Sequence, residues 1–302
     1  MQNPKSQKSQ EPNTVICIGA ANLDIRCAFE QFSVGGASNP ASISQSVGGA
    51  ALNTARILAA SKTRTRFIGL VGEDDGAHKI ADALELANVE NGLIIHSTAA
   101  SGRYISLLEP DGMLKIACND MKINQEFSID LLEQQLRLFD LGNISAVFCD
   151  ANLPAIIIKR AFELIPHGLK CATTVSPSKA SQLKQNFNLI DILFTNVAEA
   201  TALLKAPSGT STENLAKMMA LTTVKAGIIS NGGEPVFYWQ NGKTNSITIP
   251  QMENITDVVG AGDALAAGTL AATLQGKSLS DAIQQGIYTA QKVLGIPGAY
   301  SS

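Results

Sequence analysis

The sequence predicts an α/β fold: a three-layer sandwich with a mainly parallel central sheet between helices, carrying a small antiparallel β lid. Three observations carry this. From residue 128 onward, short apolar runs alternate with helical patterns, which argues parallel strands joined by crossover helices. Before that point, residues 25–47 and 102–119 read as paired strands with turns between them, not as βαβ units. Near the end, Gly260-Ala-Gly-Asp263 opens directly into an Ala/Leu-rich helix.

Composition bounds the partners. The 302 residues are 45% hydrophobic and 16% charged, with a net charge of −3, which suits a soluble globular protein with a sizeable core. No Lys/Arg cluster is present, so nucleic acid and anionic membranes are not expected partners. Five cysteines are scattered with no C-x-x-C pair, as expected of buried thiols in a reducing compartment. Three histidines, far apart, argue against a His-based metal site or triad. Residues 1–12 are polar and read as a disordered tail, leaving 13–302 as a single domain. No apolar run approaches the ~18–20 residues of a membrane span. A cytoplasmic location is expected.

The elements follow in order. Thr14–Ala20 is an apolar run expected as a buried strand. Asn22 and Asp24 follow at its carboxyl end, where ligands collect in open α/β sheets; Asp24 equally suits a local turn. Arg26–Val34 and Ser42–Val47 alternate as two lid strands around a Gly/Asn/Pro turn. Gly48-Gly49 opens a helix over Ala50–Ala60 that carries Asn53 one turn in. Arg66–Val71 is a strand, Asp75–Ala87 has helical apolar spacing, and Leu93–His96 is a short strand. Tyr104–Leu108 and Met113–Cys118 flank Glu109-Pro-Asp-Gly112, a hairpin signal that completes the lid, with Asn119 and Asp120 just beyond.

In the second half, Ser128 caps a helix to about Phe139, and Ala146–Cys149 is a strand ending at Asp150 and Asn152. A helix to Ile165 and a strand near Cys171–Val175 follow. Ile190–Thr195 is a strand leading into Asn196-Val-Ala-Glu199 and a short helix. Thr212–Thr222 is helical, and Lys225–Ser230 is a strand running into Asn231-Gly-Gly233. Pro235–Trp239 and Thr244–Ile249, split by Asn241-Gly242, form a second hairpin. A last helix spans Leu279 to about Leu294.

The chemistry points to the stretch after Asp257. Gly260 and Gly262 let the chain turn tightly with bare N–H groups, and a helix start adds unpaired donors and partial positive charge. That combination suits a phosphate. Asp263 at its edge could take a proton from an attacking alcohol. The same residues would also serve an ordinary helix N-terminus after a glycine turn.

Gly48-Gly49 with Asn53, and Asp257-x-x-Gly-Ala-Gly-Asp263 about 200 residues later, resemble the two motifs of the ribokinase-like (PfkB) carbohydrate kinases. The resemblance runs from about residue 14 to 295, and the lid falls where that family keeps one. Ser38-Asn39-Pro40, Tyr104–Leu108, Asn119-Asp120-Met121, Asp150-Ala-Asn152 and Val175-Ser176 with Lys179 resemble the family's pseudouridine-kinase branch.

The resemblance implies an ATP-dependent phosphotransferase that acts on the 5′-hydroxyl of pseudouridine. It implies Asp263 as the base, the N–H groups of Ala261, Gly262 and Asp263 as stabilising the transferring phosphoryl, and Gly260 as part of the same catalytic turn. Asn22, Asp24, Gly49 and Asn53 would hold the ribose, and Asn39, Asn119 and Asp120 would read the base. Asn196, Ser230, Gly232 and Gly262 would bind the nucleotide. Glu199 would order Mg²⁺ through water, Asp257 would support a monovalent cation such as K⁺, and a homodimer would form through the lid.

Three departures lie toward the nucleotide side. Thr173-Thr174 stands where the family usually has Asp-Pro, Phe194-Thr195 where it has Lys-Pro, and Pro235 where a glycine is usual. They leave two other readings open: another nucleoside or sugar kinase of the family, and a non-catalytic binder that kept the sugar pocket.

Overall fold

A computed structural model describes residues 13–96, 98–251 and 260–295; the 1–12 segment and Asp257 lie outside them. The chain runs β1 (Thr14–Ile18), β2 (Asn22–Phe29), β3 (Ala41–Gly48), α1 (Ala50–Ala60), β4 (Arg64–Gly72), α2 (Asp75–Leu86), β5 (Glu90–His96), β6 (Gly102–Leu108) and β7 (Leu114–Asp120). It continues with α3 (Ile129–Leu136), β8 (Ile144–Asp150), α4 (Ala155–Leu164), β9 (Leu169–Thr173), α5 (Pro177–Ala180), β10 (Ile192–Asn196), α6 (Val197–Leu204) and α7 (Thr212–Ala220). β11 (Ala226–Ser230), β12 (Val236–Gln240), β13 (Lys243–Ile247), α8 (Ala261–Leu274) and α9 (Leu279–Leu294) complete it.

Nine strands form the main sheet in the order β13-β12-β11-β10-β9-β8-β1-β4-β5. From β11 to β5 every pairing is parallel; only the β11–β12 and β12–β13 pairings, at one edge, are antiparallel. The central strands are apolar on both faces because helices cover both. In β1, Val15 and Cys17 face one core with α1, α2, α8 and α9, while Ile16 and Ile18 face the other with α3, α4, α6 and α7. That alternation makes the three layers. α8 is apolar all round, with Ala264 to Ala272 buried, because it lies between the sheet, α1 and α9.

The second sheet has the order β3-β2-β6-β7. Its two antiparallel pairs, β2–β3 and β6–β7, are joined by a parallel β2–β6 pairing. Among the boundaries that differ from the sequence reading, one bears on the site. The first lid strand begins at Asn22, so Asn22 and Asp24 belong to β2 rather than to a turn after β1. The cause is pairing: Asn22 is opposite Gly48 and Gly102, and Asp24 is opposite Ser46 and Tyr104. Turn chemistry held at Asn241-Gly242, where both residues have positive φ (51° and 77°), as a tight hairpin requires. Two short 3₁₀ stretches, Lys122–Glu126 and Ser181–Leu189, had no periodic signal to announce them.

Candidate active site

The carboxyl ends of β1, β8, β9, β10 and β11 converge beneath the starts of α1 and α8. At the centre is Asp263, half-buried in the first turn of α8. Gly260 caps that helix in the left-handed region (φ 78°) and offers no side-chain cap. The first-turn N–H groups at Ala261, Gly262 and Asp263 therefore lack helical partners. Asp263 Oδ2 accepts from Asn53 Nδ2 at 2.9 Å, which ties α1 to α8. Burial raises its pKa to about 7, with the charges of Asp150, Glu199 and Asp24 adding to the shift and the Asn53 bond opposing it. A carboxylate with proton affinity near neutrality, beside free N–H donors, can accept a proton while those donors hold an anion.

One side of Asp263 is the root of the lid. Asp24 Oδ1 accepts from buried Asn22 Nδ2 at 2.6 Å. Burial pushes the Asp24 pKa up to about 6 against that bond. Gly48 leaves the room that the Asp24 carboxylate occupies, since a Cβ there would overlap Oδ2. Gly49, the N-cap of α1, has φ 124° and ψ 128°, and a Cβ on it would meet the Ala20 carbonyl. Asn22, Asp24, Gly49 and Asn53 thus come together at the root of the lid.

The other side holds two adjoining cavities. A cavity of about 420 Å³ is lined by Ser230, Gly232, Val236, Gly262, Leu265 and Ile287, among others. A second, of about 290 Å³, is lined by Thr173, Val175, Glu199, Gly260 and Asp263 among others. Asn196, Ser230, Gly262 and Leu265 line both. Asn196 and Glu199 form a capping box on α6: Glu199 N donates to Asn196 Oδ1 at 2.9 Å, and Asn196 N to Glu199 Oε2 at 3.1 Å. Glu199 is thus a first-turn capping residue of α6, and its carboxylate also lines the second cavity.

The departures from the family pattern acquire a physical account here. The buried Thr174 hydroxyl donates to Glu199 Oε2 and lies 2.9 Å from Thr195 Oγ1. Phe194 packs in the core against Phe148 at a centroid distance of 6.1 Å. Val175, beside Thr174, has φ 63°, a strained conformation for a β-branched residue, of the kind that clusters at ligand sites.

Two of the expected base readers have local partners. Asn39 Oδ1 accepts from Val34 N at 2.8 Å, and its Nδ2 donates to the Val34 and Ala37 carbonyls at 3.1 and 3.0 Å. Its amide is spent on shaping its own loop. Asp120 is exposed and turns to Lys122, accepting from its N–H at 3.3 Å, so its carboxylate serves the start of the 3₁₀ turn. Asn119 shares a cross-strand row with Tyr104 and Asp24, which puts it on the Asp24 face of the lid, though it is exposed. The sequence reading named Asp150 and Thr174 only as parts of motifs and gave neither a role in the site. A buried Asp or Thr at the end of a central strand was the available signal.

The matches to known proteins agree with this geometry. The family model for the pfkB family carbohydrate kinases matches residues 12–302. Pseudouridine kinase of Escherichia coli is 26% identical over 282 residues, covering 91% of this chain and 88% of that one. Ribokinase of Arabidopsis thaliana is 25% identical, covering 99% and 81%. A solved carbohydrate kinase from Agrobacterium tumefaciens superimposes with a TM-score of 0.81 at 29% identity, covering 96% of this chain and 93% of that one. No helix among the described residues is long and apolar enough to cross a membrane. The chain belongs to the pfkB family of carbohydrate kinases, phosphotransferases that act on a hydroxyl group.

Proposed function

We propose that the protein transfers the terminal phosphoryl of ATP to the 5′-hydroxyl of pseudouridine. The observation that carries the chemistry is Asp263, half-buried where the lid root meets the two cavities, with its pKa raised to about 7. Asp263 takes the proton of the attacking hydroxyl as the bond to phosphorus forms. The unpaired N–H groups of the first α8 turn meet the charge on the equatorial phosphoryl oxygens. Little covalent chemistry is asked of the protein, so positioning and electrostatics suffice. Asp24, Asn22 and Asn53 orient the ribose, and a carboxylate accepting vicinal hydroxyls gives a strong charge-assisted arrangement. The apolar wall of Val236, Leu265 and Ile287 suits the adenine of ATP, and Asn196, Ser230 and Gly232 lie along its phosphates.

Among the described residues no three His, Cys, Asp or Glu side chains converge on a metal. That fits Mg²⁺, which keeps several waters and is held mostly by phosphate; Glu199 would orient those waters, and the ion would supply charge neutralisation. Both Glu199 bonds described above go to Oε2. Removing one of their donors gives a local test. Thr174→Val is expected to cost about 1–3 kcal/mol through an under-satisfied buried carboxylate. It should also raise the Mg²⁺ needed for half-maximal rate, read by melting and by metal titration of turnover. An unchanged Mg²⁺ requirement would separate Glu199 from the metal.

The choice of pseudouridine rests on the E. coli pseudouridine kinase match and on the branch motifs. The ribokinase match of similar identity supports the second reading, a kinase for another nucleoside or a free sugar. A turnover panel of pseudouridine, uridine, adenosine and ribose with ATP and Mg²⁺ decides between them. Pseudouridine should give the highest kcat/KM; ribose turned over well with pseudouridine inert would reject the assignment. Binding of a nucleoside without any ADP release would favour a non-catalytic binder instead. The lid face opposite Asp24 carries Ile43 and Ile116, each more than half exposed, and we read it as a homodimer contact. Sedimentation as a monomer at micromolar concentration would reject that assembly.

A further inference from the structure

Asp150, the last residue of β8, has no solvent exposure. Its Oδ2 accepts from Ala20 N at 3.1 Å and from Ala51 N at 3.2 Å, and its Oδ1 from Asn152 N at 2.9 Å. These donors come from three places: the chain leaving β1, the first turn of α1 and the chain leaving β8. Ala51 N is one of the first-turn groups that a helix cannot satisfy itself, and the N-cap Gly49 has no side chain to do so. Asp150 supplies that bond from another element. The approach needs bare backbone, since a Cβ on Gly19 would overlap Oδ2.

α1 is thereby anchored two residues before Asn53, whose amide holds Asp263. We propose that Asp150 is a positioning residue of the phosphoryl-transfer site: as an anion it seats the first turn of α1, and so sets where Asn53 holds the Asp263 carboxylate. This rests on the kinase reading above. Asp150 acts through α1 and through its charge, not by touching the substrate.

Burial pushes the Asp150 pKa up, while the three N–H donors and the positive end of α1 work against that rise by favouring the charged carboxylate. The groups facing Asp150 are the Cys17 thiol of β1, the Cys149 thiol of β8, the half-buried Lys179 ammonium of α5 and Asp263 of α8. Both thiols are pushed well up by burial first and by Asp150 second, and stay protonated. Lys179 bonds Asn152 Oδ1 and is the one cation of the set. Because the Asp150 anion raises the proton affinity of Asp263, removing its charge must lower that affinity.

The test is Asp150→Asn, read three ways. Acceptor kcat should fall by about 10- to 100-fold, the scale of a displaced catalytic group, with KM for ATP within about twofold because that site is lined from the ends of β10 and β11, from β12, α8 and α9, and not from α1. The acid limb of kcat/KM should move to lower pH. Carboxyl ¹³C NMR should show Asp263 titrating at lower pH than in the native chain. This last reading needs no substrate, so a native chain without kinase activity would overturn the kinase reading and leave the Asp150 assignment to be judged by titration. Native kcat and an unmoved Asp263 titration in the variant would overturn the proposal. Should the variant not fold, the native protein still decides. Asp150 must titrate below the active pH range, and the Ala51 amide must exchange as slowly as amides in mid-helix. A neutral Asp150 at pH 7, or a fast-exchanging Ala51, would overturn it equally.

Discussion

Asp263→Asn should bind acceptor about as tightly as the native enzyme and turn it over about 10²- to 10⁴-fold more slowly, the usual cost of losing a general base. The substitution is isosteric. The new amide oxygen can still accept from Asn53 Nδ2, the bond that holds the native carboxylate at 2.9 Å, so α1 and α8 should stay in place. What is lost is the ability to take a proton. The native pH profile follows from the same residue. A base must be deprotonated to act, and burial has raised the Asp263 pKa to about 7. Native kcat/KM should therefore climb as pH rises through about 7 and level off above it. The variant should lack that limb. Full activity in Asp263→Asn, or a native profile flat from pH 5 to 8, would remove Asp263 from the reaction.

The second large effect is expected at Gly49→Ala. At φ 124° and ψ 128° an L-residue is strained by about 1–3 kcal/mol. The added methyl also runs into the Ala20 carbonyl, a backbone atom that cannot rotate away, and such overpacking costs a further ~1–3 kcal/mol. The sum, roughly 2–6 kcal/mol, should lower the melting temperature by several degrees. Because Gly49 begins the helix that carries Asn53, the folded fraction should also show a raised acceptor KM and a lowered kcat. Thermal melting and kinetics on the folded protein check both parts. A variant with native Tm and native KM would mean that the tight turn at α1 is dispensable.

The catalytic half of the site was legible because it is local in sequence. Gly260, Gly262 and Asp263 lie within four residues, and the turn, the donors and the acid are all declared by residue type. Ser128, Asn196 and Asn241-Gly242 were legible for the same reason: caps and tight hairpins are short-range chemistry. The lid's root was misread because register decides it. Nothing between Ile18 and Asn22 says that the new strand begins at Asn22; that follows from Gly48 and Gly102 lying opposite it. Asp150 and Thr174 escaped because their partners, Ala51 and Glu199, are 99 and 25 residues away. The partners of Asn39 were not declared by the sequence either: an Asn between turn residues can bond its own loop, and this one does.

The pairing of Asp24 with Ser46 on one side and Tyr104 on the other has a consequence for how this chain tolerates insertions and deletions. Side chains along a strand alternate between faces, so a slip of one residue anywhere between Asn22 and Asp24 would point the acid away from the ribose. Residues added between Glu30 and Pro40 lie beyond the paired stretch and leave the parity untouched. Length variants of that loop should keep the acceptor grip, whereas a single-residue deletion inside β2 should abolish it even where the main sheet still folds.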